Sequence, residues 1–425
     1  MALRFAESGG QYHASNASGP GVWGANSGAT ISGAANTRNG STWAYVGNNT
    51  LTTPTFGSQS GLIAGCAYFF SAVVNNAVLM GFLRTGVAQC DIRTDGSGHI
   101  FVTRNGTLLG TSTLAITIGS YHYIEFKAIL SITGTGTCEV VVDGTTWLTL
   151  TAQTNATTAA TADQAQFLVS NASFTNIRDF YVLDTTSGSN TNYLGDITVA
   201  EVYPNGPGVN AAWSVQQGAF TLTAAANASG GTTVYTGTIT NGASPANAWQ
   251  GYYFNITGFG TGANNGGPWL CTASTAANIT VQNPSGVAET HAGSCAFQNP
   301  VQAGIHGGDI DGAATTNVGT RPPGDNQFLF DSTTNDKTDY AHQTLALTGS
   351  IPGVVHVTYA RKDDAGARQI AQLCESTGTE ETSPTITLTG AYTYYSDVLE
   401  VDPHTSALWT LAGYNAATFG VKEIT

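Results

Sequence analysis

The sequence predicts an all-β protein, and three observations lead to this fold class. Apolar and polar residues alternate with a period of two from Tyr121 to Trp147, as a half-buried antiparallel strand pair requires. Glycine accounts for 52 of the 425 residues, and Asp-Gly and Asn-Gly turn dipeptides recur. No amphipathic helix of ten residues stands out.

The stretch from Tyr121 to Trp147 contains two strands and a turn. The residues that share the apolar face are Ile124, Phe126, Ala128, Leu130, Cys138, Val140 and Val142. Asp143-Gly144 is a hairpin-turn dipeptide. The charged residues on or beside the opposite face are Glu125, Lys127, Glu139 and Asp143. We expect these four to form the solvated side of a scaffold.

Composition limits the function classes. The net charge is −14 and charged residues make up only 9% of the chain. Binding to nucleic acid or to an anionic membrane surface needs clustered Lys and Arg, so neither partner is expected. Hydrophobic residues reach 41%, which is enough for packed cores.

Residues 61–83 carry no charge and have the length of a membrane span. The central Asn75-Asn76 predicts instead two buried strands joined as a hairpin, so we expect no membrane insertion. The first ten residues contain no apolar segment of signal-peptide length. Asp95-Gly96 and Asn105-Gly106 predict turns on either side of a strand from His99 to Thr103.

The distribution of charge predicts three domains. Residues 1–213 hold 11 acids and 7 bases, 214–300 hold the single charge Glu289, and 301–425 hold 15 acids and 6 bases. Short strands with Gly, Asn and Pro turns in 214–300 suit a small immunoglobulin-like sandwich or barrel. Residues 301–425 are predicted to form a second sandwich, in which Arg368–Cys374 and the segment ALWTLAGYNA (407–416) are strands.

Six cysteines without a C-x-x-C pair do not form a disulfide framework. We expect Cys66, Cys90 and Cys138 to be buried thiols, because each lies in an apolar strand pattern. Cys271 and Cys295 lie in one small module and are candidates for pairing. Cys374 has no evident partner.

The search for catalytic groups leaves one weak candidate pair. Glu400 and Asp402 are placed on one strand face, as paired carboxylates of a glycoside hydrolase would be, but Pro403 indicates a strand end. Glu139 and Asp143 also share a face, although Asp143 belongs to a turn. No nucleophile elbow, P-loop or H-E-x-x-H motif occurs. We therefore predict that the protein is not an enzyme and assign it no catalytic residue.

No cofactor or metal residue is assigned either. The histidines, including His99, His122 and His356, are expected at the surface or in the core rather than as ligands. Asp309-Ile310-Asp311-Gly312 could begin a calcium loop, but the later Glu is missing, which favours an ordinary acidic loop.

Four tryptophans could stack against sugars, although such side chains more often fill cores. They are Trp43, Trp147, Trp249 and Trp269. Phe259-Gly260-Thr261-Gly262 is expected to be a turn between strands. The charge cluster 361–368 is expected to be a salt-bridged turn rather than a binding site.

Several long segments, in order, resemble a family of tailed-bacteriophage virion proteins. They are MALRF, RTDGSGHIFVTRNGTLLGTS, YHYIEFKAILS, CEVVVDG, IRDFYVLDTTSGSNTNYLGDITVAEVYPNGPG, TDYA, YARKDDAGAR and ALWTLAGYNAATFGVK. The resemblance covers 1–213 and about 303–425. It implies a concanavalin A-like, or laminin-G-like, jelly roll in the first half, and the module at about 217–299 is an insert that departs from the family.

The resemblance implies a structural protein on the virion surface, as a fibre, tail-tip, neck or capsid-decorating component. The expected partners are other virion proteins and further copies of the chain, with a trimer favoured. A carbohydrate-binding adhesin that recognises host surface glycans is the alternative. A glycan-cleaving enzyme is the third hypothesis.

Overall fold

A computed structural model describes the following parts of the chain. They are residues 3–7, 23–26, 30–32, 38, 44–46, 49–169, 174–185, 188–200, 202, 204–211, 214–215, 219–228, 230–239, 253–275, 277–298, 329–330, 333–346, 349–362, 366–391 and 393–425.

The fold is all-β, as predicted, and its first unit is a jelly-roll-like sandwich. The strands of this N-terminal sandwich are β1 Leu3–Glu7, β2 Ala25–Asn26, β3 Thr30–Ser32, β4 Ala44–Val46, β5 Asn49–Thr52, β6 Gly61–Phe70, β7 Ala77–Arg84, β8 Val87–Thr94, β9 His99–Arg104, β10 Thr107–Ala115, β11 Tyr121–Ile129, β12 Gly136–Val142, β13 Thr145–Ala152, β14 Gln164–Val169 and β15 Phe174–Asp184.

Two antiparallel sheets face each other in this sandwich. The eight-stranded sheet has the order β13-β12-β11-β6-β15-β4-β3, with β1 on β15, and the seven-stranded sheet has the order β10-β9-β8-β7-β14-β5-β2. One core fills the space between them, with Phe126 from the first sheet stacked on Phe82 from the second. Burial of these apolar inner faces is the main favourable term in folding.

The strand pair predicted from Tyr121 onward is confirmed. Ile124 lies opposite Val142, and Ala128 lies opposite Cys138. The predicted apolar face is in the core. Asp143 and Gly144 both have positive φ, at 49° and 76°, as a two-residue hairpin turn with Asp-Gly requires.

Residues 61–83 do form two strands, but they are not a hairpin as predicted. Strand β6 belongs to the eight-stranded sheet, whereas β7 pairs with β8 and β14 in the other sheet. Six residues, from Ser71 to Asn76, separate the two strands, so the chain has room to cross from one sheet to the other. Within the described residues, no helix has the length and apolar character needed to span a membrane.

The next unit of the chain is a closed barrel. After β16 Pro204–Ala211 and β17 Ser214–Val215, its strands are β18 Ala219–Ala228, β19 Thr232–Ile239, β20 Tyr253–Thr257, β21 Gly266–Ser274, β22 Asn278–Val281 and β23 Glu289–Gln298. The order of strands around the closed barrel is β18-β19-β22-β21-β20-β23. An immunoglobulin-like sandwich has its first, second, fifth and fourth strands in one sheet, and here these are β18, β19, β22 and β21. The pairings of β21 with β20 and of β23 with β18 join this sheet to β20 and β23 and close the barrel.

The C-terminal unit begins earlier than predicted. Its later elements are β24 Leu329–Phe330, β25 Lys337–His342, β26 Val354–Ala360, β27 Gln369–Ser376, β28 Thr379–Thr382, β29 Ile386–Thr387, β30 Thr393–Leu399, helix α1 Leu411–Ala416 and β31 Thr418–Glu423. Its main sheet has the order β16-β25-β31-β27-β28, with β29 on β27. Strand β16 therefore belongs to this sheet, and the predicted domain boundary at residue 213 is wrong.

The barrel is inserted into this C-terminal sheet. Strand β17 precedes the barrel, β24 follows it, and the two pair with each other, Val215 opposite Leu329. Chain entry and exit are thus side by side. Strands β16 and β25, which flank this two-stranded neck in sequence, are also neighbours.

Two predictions within the C-terminal unit have opposite outcomes. The strand expected at Arg368–Cys374 is confirmed from Gln369 onward, because β27 spans Gln369–Ser376. The strand predicted within ALWTLAGYNA is wrong, because 411–416 form α1. The Thr410 side chain caps this helix by accepting from the Gly413 backbone N–H at 3.0 Å, a local preference that competes with an extended chain.

A strand pair joins the C-terminal unit to the N-terminal sandwich. Strands β26 and β30 pair along their whole length. On one face, Val355 and Val398 pack against Leu3 and Tyr181 of the eight-stranded sheet's outer surface. On the other face, Gln372 of β27 donates to the carbonyl of His356 at 2.9 Å.

Candidate functional site

The carboxylates considered for catalysis are not a pair. Glu400 accepts from the backbone N–H of Leu3 at 2.8 Å and from the Asn190 side chain at 3.1 Å, so it fastens the N-terminal sandwich to the C-terminal unit. Asp402 accepts from the backbone N–H of His404 at 2.9 Å and stabilises a turn. These two side chains perform separate structural tasks. Glu139 accepts from Thr146 at 3.3 Å.

Two of the histidines in the described residues have different surroundings. His99 pairs with Asp95 at 2.9 Å. Burial lowers the pKa of His356 to about 4, which keeps that ring neutral near pH 7.

His122 joins two turns. Its Nδ1 lies 2.6 Å from Asp143 Oδ2, and its Nε2 lies 2.9 Å from the carbonyl oxygen of Thr117. The hydroxyl oxygens of Thr117 and Ser120 also lie 2.9 Å and 3.3 Å from Nε2. The hydrogen bond with Asp143 raises the pKa of His122. His122 therefore holds the turn at Asp143 against the segment from Thr117 to Ser120.

The remaining sequence candidates are not part of a common site. Trp147 packs partly buried against the sandwich core, and Trp269 packs against the barrel core. The loop at Phe259–Gly262 is a turn, and its Gly260 and Thr261 N–H groups donate to the barrel's Glu289. Trp43, Trp249 and residues 309–312 lie outside the described residues, as do 363–365 of the charge cluster. In the part that the structure describes, no group of three His, Cys, Asp or Glu side chains could hold a metal ion.

The outer face of the eight-stranded sheet, which we call the covered face, contains an ionisable row that sequence reasoning misplaced. Glu125, Gly65 and Tyr181 lie side by side on β11, β6 and β15. Because Gly65 has no side chain, the Tyr181 ring crosses it, and the Tyr181 hydroxyl donates to Glu125. The Gly195 backbone N–H donates to the same carboxylate at 2.9 Å.

Glu125 is consequently only 2% exposed, and the prediction that it is solvated is wrong. Residues 193–197 return over the sheet and pack on it, which removes water from this row. Burial raises the pKa of Glu125. Asp143 is half-exposed, in agreement with its predicted position at the surface.

A second buried cluster on the covered face surrounds Asp179. This side chain pairs with the guanidinium of Arg38 and, at 3.2 Å, with that of Arg178. Its other oxygen accepts from the Val199 backbone N–H at 3.0 Å. Asp179 itself has φ 56° at an irregularity of the β15–β6 register. Burial raises the pKa of Asp179, while the two arginines oppose this effect.

The outer face of the seven-stranded sheet, which we call the open face, carries a comparable row of side chains. Residues 193–197 and the β26–β30 pair do not pack on this row. Thr103, Asp91, Gly81 and Gln166 are consecutive cross-strand neighbours on β9, β8, β7 and β14. Gly81 again provides the room, since a β-carbon there would lie 2.7 Å from Cβ of Asp91. Gln166 remains half-exposed.

Asp91 is held by its own neighbours. Its Oδ1 accepts from Arg93 Nε at 2.6 Å and from the Thr103 hydroxyl at 2.7 Å, while Arg93 also donates to Asn76 at 2.9 Å. Phe101, opposite Arg93 on β9, adds a half-exposed aromatic ring. The open face therefore presents the Arg93 guanidinium beside a ring, while Asp91, which balances its charge, and Thr103 are only 4% and 2% exposed.

The sequence contained a signal for both rows. A glycine inside a strand indicates close approach by another group, and Gly65 and Gly81 both lie in the uncharged segment 61–83. What the sequence could not indicate is which face the chain would later cover.

Comparisons with known proteins concern the fold alone. No family model and no curated protein matches the sequence. Among solved structures, an endo-β-1,4-glucuronan lyase from the fungus Trichoderma reesei aligns with 43% of this chain and 93% of its own, at 11% identity and a TM-score of 0.30. An alginate lyase from Aplysia kurodai aligns with 42% of this chain and 98% of its own, at 12% identity and a TM-score of 0.31.

A Trypanosoma rangeli sialidase aligns with 36% of this chain and 27% of its own, at 9% identity and a TM-score of 0.28. Similarity at this level is compatible with the all-β fold class. It has no bearing on chemistry.

Proposed function

We propose that the protein is a structural component exposed on the surface of a tailed-phage virion, and that it is not a catalyst. The observation that carries the proposal is the structural role of its buried carboxylates. Glu400 fastens one unit to another, and Glu125 and Asp179 fasten residues 193–199 to the sheet. Carboxylates in such roles build a rigid body rather than an active site. The ordered segments of the sequence that resemble a family of virion proteins support the same proposal.

The test is to purify particles from a lysate of the phage that produces the chain and to analyse them by quantitative mass spectrometry. We expect the chain at a stoichiometric copy number, and the isolated protein at the mass of a homo-oligomer, a trimer being favoured. Complete particles that lack the chain would overturn the proposal. Cryo-electron microscopy of the particles would then assign its position among fibre, tail tip, neck and capsid.

A second candidate function, a carbohydrate-binding adhesin, is favoured by the open face. Arg93, which is fixed by the buried Asp91 and by Asn76, presents a donor beside Phe101, and Asp91 balances its charge. Binding of the wild-type protein to host polysaccharides on a glycan array should weaken at least tenfold in R93A. K127A removes one positive charge from the covered face and should bind as wild type. Equal binding by wild type and R93A, or none by wild type, would exclude this role for the open face.

A further inference from the structure

Two cysteine side chains from opposite sheets meet inside the N-terminal sandwich. Cys90 lies on β8 of the seven-stranded sheet and Cys138 on β12 of the eight-stranded sheet. Their Sγ atoms are 3.4 Å apart, and the two residues are 0% and 1% exposed. The thiols are in contact and unbonded.

The two sheets converge at this end of the sandwich. Strands β10 and β13 are the outermost strands of the two sheets, and a β-carbon built at Gly110 of β10 would lie 3.0 Å from Leu150 of β13. A disulfide needs an S–S distance of about 2.05 Å, so the sulfurs must approach by about 1.4 Å.

The other four cysteines have different surroundings. Cys66 donates to the carbonyl of Arg178 at 3.4 Å, and Cys271 donates to that of Ala273 at 3.2 Å. Cys295 and Cys374 are buried in two further apolar clusters. All six cysteines lie in the described part of the chain, and the sulfur–sulfur contact that the structure records there joins Cys90 to Cys138.

We propose that Cys90 and Cys138 are a cross-linking site, which closes to an intramolecular disulfide between the two sheets when the protein meets a disulfide oxidant such as oxidised glutathione. One thiolate attacks the oxidant, forming a mixed disulfide and releasing one glutathione thiolate. The second cysteine then displaces the other glutathione. In total the pair loses two protons and two electrons, and the oxidant becomes two molecules of reduced glutathione.

Burial determines when this exchange occurs. The reactive form is the thiolate, and the hydrogen bond with Cys138, together with burial, raises the pKa of Cys90. The intact core therefore protects both thiols. Exchange requires either opening of the edge formed by β10 and β13 or a chain that is still folding, so the cross-link forms slowly in the folded protein and readily during oxidative refolding.

The experiment compares the full chain refolded with reduced glutathione or with a glutathione redox buffer. Each sample is denatured in N-ethylmaleimide, and its labelled thiols are counted by intact mass. Reduced protein should carry six labels, and oxidised wild type should carry four. Peptide mapping of the oxidised wild type should recover a Cys90–Cys138 linked peptide. The oxidised form should unfold roughly 5–10 °C higher than the reduced form.

C90A and C138A should each carry five labels under both conditions, whereas C66A should still lose two labels on oxidation. Mapping of the wild type decides the matter even if a variant folds poorly. Six labels on wild type after oxidative refolding would overturn the proposal. So would a loss of two labels that maps to another pair, including Cys271 with Cys295.

Discussion

Each outer face of the N-terminal sandwich has a glycine between two polar side chains on neighbouring strands, but the polar side chains make different contacts. On the covered face a glycine, Gly65, lies between Glu125 and Tyr181, and the tyrosine reaches across to the carboxylate. On the open face Gly81 lies between Asp91 and Gln166, and Asp91 instead binds Arg93 on its own strand.

The difference lies in what the chain does afterwards. Residues 193–197 and the β26–β30 pair pack over the covered face, so its ionisable groups must satisfy one another without water. On the open face Arg93, Phe101 and Gln166 stay partly exposed, whereas Asp91 and Thr103 are buried by their neighbours. Whether such a row of side chains is buried or stays at the surface therefore depends on segments that are distant in sequence. Substitutions on the covered face should therefore lower the free energy of unfolding, and those on the open face should chiefly alter binding.

The largest expected difference in stability is between substitutions of two arginines, one on each face. R38A removes one of the two arginine partners of the fully buried Asp179 and should lower the free energy of unfolding by about 3 kcal/mol, because only Arg178 then balances this buried charge. R93A breaks a pair with the buried Asp91, which keeps the Thr103 hydroxyl as a donor, and should cost about 1–2 kcal/mol. Urea denaturation of both variants measures the two values. Equal losses would mean that the faces do not differ as described.

A smaller loss is expected at Gly65. A β-carbon there would lie 2.1 Å from the ring of Tyr181, so G65A must displace the tyrosine and should cost about 2 kcal/mol. Gly134 faces open space, and G134A provides the control with no comparable loss. Thermal unfolding followed by near-ultraviolet circular dichroism reports both. An unaffected G65A would show that the Tyr181 ring position is not required.

Removing one hydroxyl should have a still smaller effect. Y181F keeps the ring over Gly65 but takes a donor from the buried Glu125, with an expected cost of about 1–2 kcal/mol. In Y181F/E125Q the loss should differ from the sum of the single losses, since the two side chains are bonded. Strict additivity in this double-mutant cycle would contradict a direct interaction.

The smallest expected effect is on the pH dependence of stability, which tests the carboxyl group of Glu125. Because burial raises the pKa of Glu125 above its ordinary value, the folded state binds more protons than the unfolded state between these two pKa values. The Glu125 contribution to the free energy of unfolding therefore falls as pH rises through this window. E125Q, whose amide oxygen can still accept from Tyr181 and Gly195, should lose this decline. Identical pH slopes in wild type and E125Q would contradict the assignment.

Local sequence patterns predicted the strands better than they predicted which distant segments would pair with or cover those strands. Alternation along β11 and β12 correctly identified the core face, because a period of two places side chains whatever lies beyond the sheet. The same alternation placed Glu125 in solvent, since nothing local indicates that residues 193–197 return over it. The pairing of β16 with β25 was missed for the same reason, as its partner lies beyond the whole barrel. Helix α1 was missed because Thr410 acts through a cap rather than through apolar spacing.

The two-stranded neck has a consequence for how the chain folds. Strands β16 and β25 must meet across the inserted barrel, and closing a long flexible loop costs entropy and slows folding. Pairing of β17 with β24 brings the ends of the insertion together, Val215 beside Leu329. A barrel that has already folded thus acts on the rest of the chain as a short turn. We expect the barrel to fold early, and the C-terminal sheet to assemble around its base as though the insertion were a hairpin loop.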